Sequence, residues 1–449
     1  MTRQELYDAG KNMLSLTQWR NRTVFWCGAI IIGIIAAGFA YIADYAQKTF
    51  ASIVAINPYL PLVFSPIILG VTGWLTCTFA PTASGSGIPQ AIAAHASQNP
   101  EEQRYLLGPR VILGKILFTT LGLFGGASVG REGPTVQIGA AILYLGASFT
   151  KMNAEMSRTV ILAGAAAGVA AAFNTPLAGI VFAIEEMARA FEHRYSSVVL
   201  IAIVLAGAAS LSILGNYSYF GYADGDYLLE RDWLVIAAVG VVGGILGGLF
   251  ALLLSKGSLW LHAINKKSHF LSPAILAALC GLIIAMLGLL THGESYGSGY
   301  AQARAFLHDG TAGSWVYTIA KLIATAASSF TGIPGGIFSP SLSVGAGLGA
   351  SMAEWFPSTP VAGVVLLGMT AYFAGVTQAP MTAFVVVLEI TGHQSMPFPL
   401  IAASVIAAAV SRLICPTSLY HALAKAFISS EVRHQQKNVD EETSPGMRL

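Results

Sequence analysis

Two stretches decide the fold once one is laid over the other: "GREGPTVQIGA" (130–140) and "GIFSPSLSVGA" (336–346). At a shift of 206 residues, Gly130 falls on Gly336, Pro134 on Pro340, Gly139 on Gly345 and Ala140 on Ala346. The same shift upstream sets Lys115 on Lys321 and Phe124 on Phe330. Working outward, "GSGIPQA" (85–91) matches "GSGYAQA" (297–303), and "TPLAGIVFAIEE" (175–186) matches "APMTAFVVVLEI" (379–390), with Glu185 over Glu389. Matches that keep their order while the offset drifts slowly are the mark of an internal repeat. The chain reads as two homologous halves, about 25–216 and 233–425.

Composition says where those halves reside. Of 449 residues, 55% are hydrophobic and only 10% charged, against about a quarter charged in a soluble domain. The mean hydropathy is +0.65. Apolar runs of bilayer-spanning length, about 20 residues, recur throughout, for example at 24–43, 233–254 and 271–290. The first is too long, and its N-terminal flank too extended, for a cleaved signal peptide. A polytopic all-α membrane protein follows. A net charge of +2 leaves no footprint for nucleic acid. Cys27, Cys77, Cys280 and Cys415 lie in apolar segments without a CxxC pair, and read as buried small hydrophobes rather than metal ligands or disulfides. Lys11, Arg20 and Arg22 flank the first span, and Lys425, Arg433 and Lys437 follow the last, so the positive-inside rule puts both termini in the cytoplasm.

Repeated halves in a membrane protein imply pseudo-two-fold symmetry, with a substrate site near the midplane where they meet. The sequence leaves open whether the halves run parallel or inverted, and a duplicated scaffold without a central site is the plainer alternative. The repeated motifs are Gly-rich strings ending in Pro. Because Pro favours the first turn of a helix, Pro89, Pro134, Pro176, Pro340 and Pro380 each mark a helix start. Several fall at membrane depth, which predicts broken or partly spanning helices. Such breaks persist only where they are buried in protein or line a cavity. A helix start presents free N–H groups and the positive end of the macrodipole, so several converging starts form an anion site. Partial charges also let the ion leave again, as conduction requires. Ser86 adds a hydroxyl donor, its bland alternative being an N-cap, and Gly85 and Gly87 allow close backbone approach.

Ionisable groups at membrane depth point to an ion or proton path. Glu132 has Arg131 beside it, so a structural ion pair is one reading. The other is that its carboxylate takes the anion's place when ionised and leaves when protonated, linking the two ions. Glu185 and Glu186 close an apolar segment, so a solvated helix end is the plain expectation for both. There one would collect protons from water while the other pairs with Arg189 or caps a neighbouring helix. Glu389, the repeat-equivalent of Glu185, is expected to be structural, as is Glu185.

With these residues in view, the chain resembles the CLC family of chloride channels and chloride/proton antiporters. "GSGIP" (85–89), "GREGP" (130–134) and "GIFSP" (336–340) resemble its three signature helix starts, and "SLYHAL" (418–423) the segment with its ion-coordinating tyrosine. The resemblance covers a transport domain over 24–429, between an N-terminal segment (1–23) and a polar tail (430–449). It implies inverted halves and a homodimer with one pore per subunit. It implies a central chloride held by the hydroxyls of Ser86 and Tyr420 and the N–H groups of Ile337 and Phe338, with Gly85, Gly87, Arg131, Gly133 and Gly336 supporting the motifs. Glu132 matches the gating glutamate and Glu186 the internal proton glutamate of antiporters. Nitrate-preferring and fluoride relatives depart from serine at the Ser86 position, so Ser86 points to chloride. Ser339 stands where bacterial relatives often have Ala, and little effect is expected of it. The 29 residues after Tyr420 are too few for the regulatory domain of many eukaryotic members, as in a prokaryotic form of the bacterial inner membrane. The expected activity is chloride/proton antiport, with a passive channel as alternative; neither enzyme chemistry nor a cofactor or metal is implied.

Overall fold

The computed structural model describes residues 16–150, 154–188, 196–215, 219–221, 232–268, 272–311, 313–392 and 396–428. The tail 430–449, most of the segment 1–23, and Arg189 lie outside the described residues. Every regular element among them is a helix, with strand-like pairing confined to two isolated bridges. The first half runs α1 (Leu16–Ile56), α2 (Pro61–Phe79), α3 (Ile88–Ala96), α4 (Pro100–Leu107), α5 (Pro109–Phe124), α6 (Glu132–Ser148), α7 (Ala154–Phe173), α8 (Pro176–Phe182) and α9 (Ser196–Leu214). The second runs α10 (Trp233–Ser268), α11 (Pro273–Leu290), α12 (Tyr300–His308), α13 (Trp315–Phe330), α14 (Phe338–Ala353), α15 (Val361–Thr377), α16 (Pro380–Thr391) and α17 (Pro397–Ile414), with α18 (Leu419–Ala424) appended. Set side by side, the halves correspond element for element, α4 and α18 being the extra helices.

Among the described residues, eight helical spans are long and apolar enough to cross a bilayer, including Arg22–Ile56, Trp233–Ser258 and Pro273–Leu290. The expected broken helices are present too. α3, α8, α12 and α18 have 9, 7, 9 and 6 residues, roughly 9–14 Å at the α-helical rise, under half of a bilayer core. Pro176 and Pro380 open α8 and α16, Pro89 is second in α3, and Pro134 and Pro340 are third in α6 and α14. Each sits in a first turn, where its missing N–H costs nothing.

Why the glycines repeat is visible where helices cross. A Cβ on Gly139 would lie 2.2 Å from the Gly164 carbonyl oxygen, and one on Gly345 would lie 2.6 Å from that of Gly368. Thus α6 meets α7, and α14 meets α15, backbone to backbone, the packing small residues permit between membrane helices. A second symmetric device buries two lysines completely. Lys115 Nζ donates to the Gly85 carbonyl at 2.6 Å, and Lys321 Nζ to those of Ser295 and Gly297 at 3.0 and 2.7 Å. Each lysine fixes the loop that precedes its half's short helix.

A third device joins the halves. Glu185, in the wide π-type turn 183–188 after α8, accepts from the N–H groups of Met381 (3.1 Å) and Thr382 (2.6 Å) at the start of α16. In return Glu389, near the end of α16, accepts from Leu177 (3.1 Å) and Ala178 (2.7 Å) at the start of α8. Exchange of equivalent contacts is what a two-fold relation produces. The expectation of structural roles for Glu185 and Glu389 agrees with this geometry, in which each caps a helix of the other half.

One apolar core runs through both halves, while Ile34, Tyr45, Val63, Leu234 and Leu290 are exposed on outer faces. Cys27 and Cys77 share that exposure, against the reading of all four cysteines as buried; Cys280 and Cys415 are buried. The physical reason is that lipid is as apolar as a helix interface, so hydropathy does not separate the two.

Candidate functional site

Three Gly-rich loops are knitted together by their own backbones. Gly85 N donates to Ile333 O at 3.0 Å, and Gly335 N returns a bond to Gly85 O at 3.0 Å. Gly130 and Gly336 exchange both bonds, at 2.7 and 2.8 Å. The loops before α3, α6 and α14 therefore converge, one of them from the second half. Gly133 makes this possible, since a Cβ there would fall 2.5 Å from Ser86 Oγ and 3.0 Å from Gly336 Cα. Gly85 (φ +68°) and Gly87 (φ +99°) adopt left-handed conformations that other residues resist.

At this convergence lie the polar groups that the sequence singled out. The Ser86 and Tyr420 hydroxyls are neighbours, yet both oxygens are buried without a well-formed hydrogen bond. A buried hydroxyl left unsatisfied is costly, and these two can each donate to a polar ligand. α18, which supplies Tyr420, packs on α3. Ile337 and Phe338 are buried at the start of α14, where first-turn N–H groups have no acceptor within the helix. The Phe338 ring packs against Phe373 (4.7 Å), Phe173 (5.8 Å) and Tyr420 (6.1 Å).

Glu132 is the first residue of α6 and is 1% exposed. Its carboxylate folds back over Gly130, where a Cβ would meet Oε2 at 2.1 Å. Oε1 accepts from the Tyr219 hydroxyl at 2.8 Å, while Oε2 is buried with no partner. Arg131 instead reaches Asp44 at 3.4 Å, so the ion-pair reading of the Arg131–Glu132 neighbours gives way. Adjacent residues at a helix start point in different directions. A cavity of about 530 Å³ lined by Asp44, Gln47, Lys48, Arg131, Glu132 and Tyr219 opens onto the carboxylate.

Glu186 corrects a second expectation. It is no solvated helix end but 3% exposed, turned inward while Glu185 turns to α16. The π-type turn lets consecutive carboxylates diverge in this way, a use such turns often have at functional sites. Glu186 Oε1 lies 3.4 Å from His421 Nδ1 and has no hydrogen bond. The Tyr420 phenol, beside Ser86, lies within electrostatic reach of both Glu132 and Glu186. Sequence reasoning missed Tyr219 and His421 altogether. It also dismissed Ser339, whose Oγ is 3.0 Å from the Tyr219 hydroxyl and buried beside Glu132.

The comparisons with known proteins bear on this geometry. The profile of the family described as "Voltage gated chloride channel" matches residues 68–412. The H(+)/Cl(-) exchange transporter ClcA of Yersinia pestis bv. Antiqua (strain Angola) is 32% identical over 404 residues, covering 86% of this chain and 80% of its own. The protein of that name from Vibrio parahaemolyticus serotype O3:K6 (strain RIMD 2210633) is 29% identical over 399 residues, covering 84% and 82%. A solved structure of a slow cyanobacterial Cl-/H+ antiporter is 27% identical with a TM-score of 0.78, covering 93% of this chain and 99% of that one.

Proposed function

The chain belongs to the voltage gated chloride channel family, and we propose that it exchanges chloride for protons across a membrane through the site just described. It is a multi-pass, all-α protein of two inverted helical repeats, in keeping with the exchanged Glu185 and Glu389 contacts. The observation that carries the reading is the convergence of the loops before α3, α6 and α14, with Ser86 Oγ, Tyr420 OH and Glu132 Oε2 buried without a hydrogen bond and Glu186 buried beside His421. Hydroxyls and free helix N–H groups suit an anion, and two buried carboxylates suit protons.

On this reading chloride is held by Ser86, Tyr420 and the N–H groups of Ile337 and Phe338. These are dipoles rather than full charges, so the ion is bound but not trapped. Glu132 as carboxylate competes with the anion for the same positive field; protonated, it loses that attraction and yields the path. Glu186 delivers protons to Glu132 from the opposite side of the anion site. The protein acts as a homodimer with one independent pore per subunit in a bacterial inner membrane, both termini in the cytoplasm. Arg20 and Arg22 just before the first apolar run and Lys425 after the last helix, and the bacterial exchangers it is similar to, support that orientation and location.

The decisive experiment reconstitutes the protein in liposomes and records chloride and proton fluxes together. A chloride gradient should drive protons uphill, against their own gradient. Chloride movement without any proton movement would identify a passive channel instead.

A further inference from the structure

Glu132 is held by a residue that no motif supplies. The Tyr219 hydroxyl donates to Glu132 Oε1 at 2.8 Å and lies 3.0 Å from Ser339 Oγ, and all three side chains are buried. The Tyr219 ring has little freedom, because Phe220 (5.0 Å), Phe173 (5.3 Å) and Tyr300 (5.3 Å) meet it edge to face. The charged groups nearby are Asp44 and Lys48 of α1 and Arg131, whose guanidinium lies 6.0 Å from the Tyr219 ring centroid. Glu132 lines the 530 Å³ cavity together with Tyr219, Arg131 and Asp44.

A phenol has one proton. Having donated it to Glu132, the Tyr219 oxygen accepts from Ser339, and a chain of two hydroxyls ends on the carboxylate. Such a chain strengthens each bond in it, and a bond to an ionised acceptor is about twice as strong as to a neutral one. Protonation of Glu132 therefore weakens its hold on Tyr219.

We propose that Tyr219, oriented by Ser339, is a latch: a positioning residue that keeps ionised Glu132 across the anion path and releases it on protonation. The proposal rests on the reading of Glu132 as the gate. It gives Ser339 a purpose, where the sequence alone left it neutral.

The test measures chloride turnover in liposomes for a double-mutant cycle. Tyr219→Phe keeps the packed ring and removes only the hydroxyl, so turnover should rise by about ten-fold, the loss of one charge-assisted bond. In a Glu132→Gln background, which has no ionised carboxylate to hold, the same substitution should change turnover less than about two-fold. Ser339→Ala, a one-atom deletion that reports even if Tyr219→Phe folds poorly, should raise turnover by less than Tyr219→Phe does, and add nothing to it. Unchanged or slower turnover in both single variants, or an equal change in the Glu132→Gln background, overturns the latch. If Glu132→Gln itself leaves chloride and proton fluxes as in the wild type, the gate reading fails instead.

Discussion

At the scale of single residues, the proposed chemistry rests on two hydroxyls, Ser86 and Tyr420, and two buried carboxylates, Glu132 and Glu186. Ser86 lies at a left-handed glycine turn where a ring closing on the backbone nitrogen would remove both the hydroxyl and an N–H. Ser86→Pro should shift preference from chloride toward nitrate, read as the ratio of the two efflux rates; an unchanged ratio would separate Ser86 from the ion. Glu186→Gln keeps the shape of a buried side chain and removes its proton affinity. Proton flux should fall by at least about ten-fold while chloride still moves, measured with a pH electrode and a chloride electrode on the same vesicles. The residues behind these predictions were legible because Gly and Pro punctuate them. Tyr219 was not, since it lies between the halves, outside the periodic segments, and reaches Glu132 across 87 positions of sequence. Ser339 reads as neutral until its partner 120 residues away is known.

Helices and their crossings obey the repeat more closely than the site does. The Gly139–Gly164 and Gly345–Gly368 contacts leave no room for a methyl group, whereas Gly38 of α1 has no atom within 4 Å of a Cβ position. Gly139→Ala and Gly345→Ala should each cost about 1–3 kcal/mol as overpacking, and Gly38→Ala should be close to neutral, judged by thermal melting in detergent. The exchanged caps make a second prediction. Glu185→Ala and Glu389→Ala each strip two backbone N–H bonds from a helix start in the other half and should lower stability by about 1–2 kcal/mol. The repeat, the helix starts and the broken helices were all visible in sequence, since each depends on local Gly and Pro chemistry. Which face of a helix meets lipid was not, as Cys27 and Cys77 illustrate.

For the molecule as a whole, the proposed anion site draws on both halves, so ion binding should be coupled to the integrity of the fold. Chloride at a hundred times its dissociation constant should stabilise the protein by about 2.7 kcal/mol, seen as a higher melting temperature than in gluconate. Ser86→Ala combined with Tyr420→Phe should abolish most of that difference. The exchanged glutamate caps also bear on how the chain is made. Leu177 and Ala178 wait for an acceptor 211 to 212 residues further along, which at a ribosome's pace of 5–20 residues per second is roughly 10–40 s. Until residues 381–389 are made, the first half lacks the partners of Leu177, Ala178 and Glu185. It is an apprentice structure, finished only when its own duplicate emerges, and a chain cut between the halves should be left for the cell's membrane proteases to find.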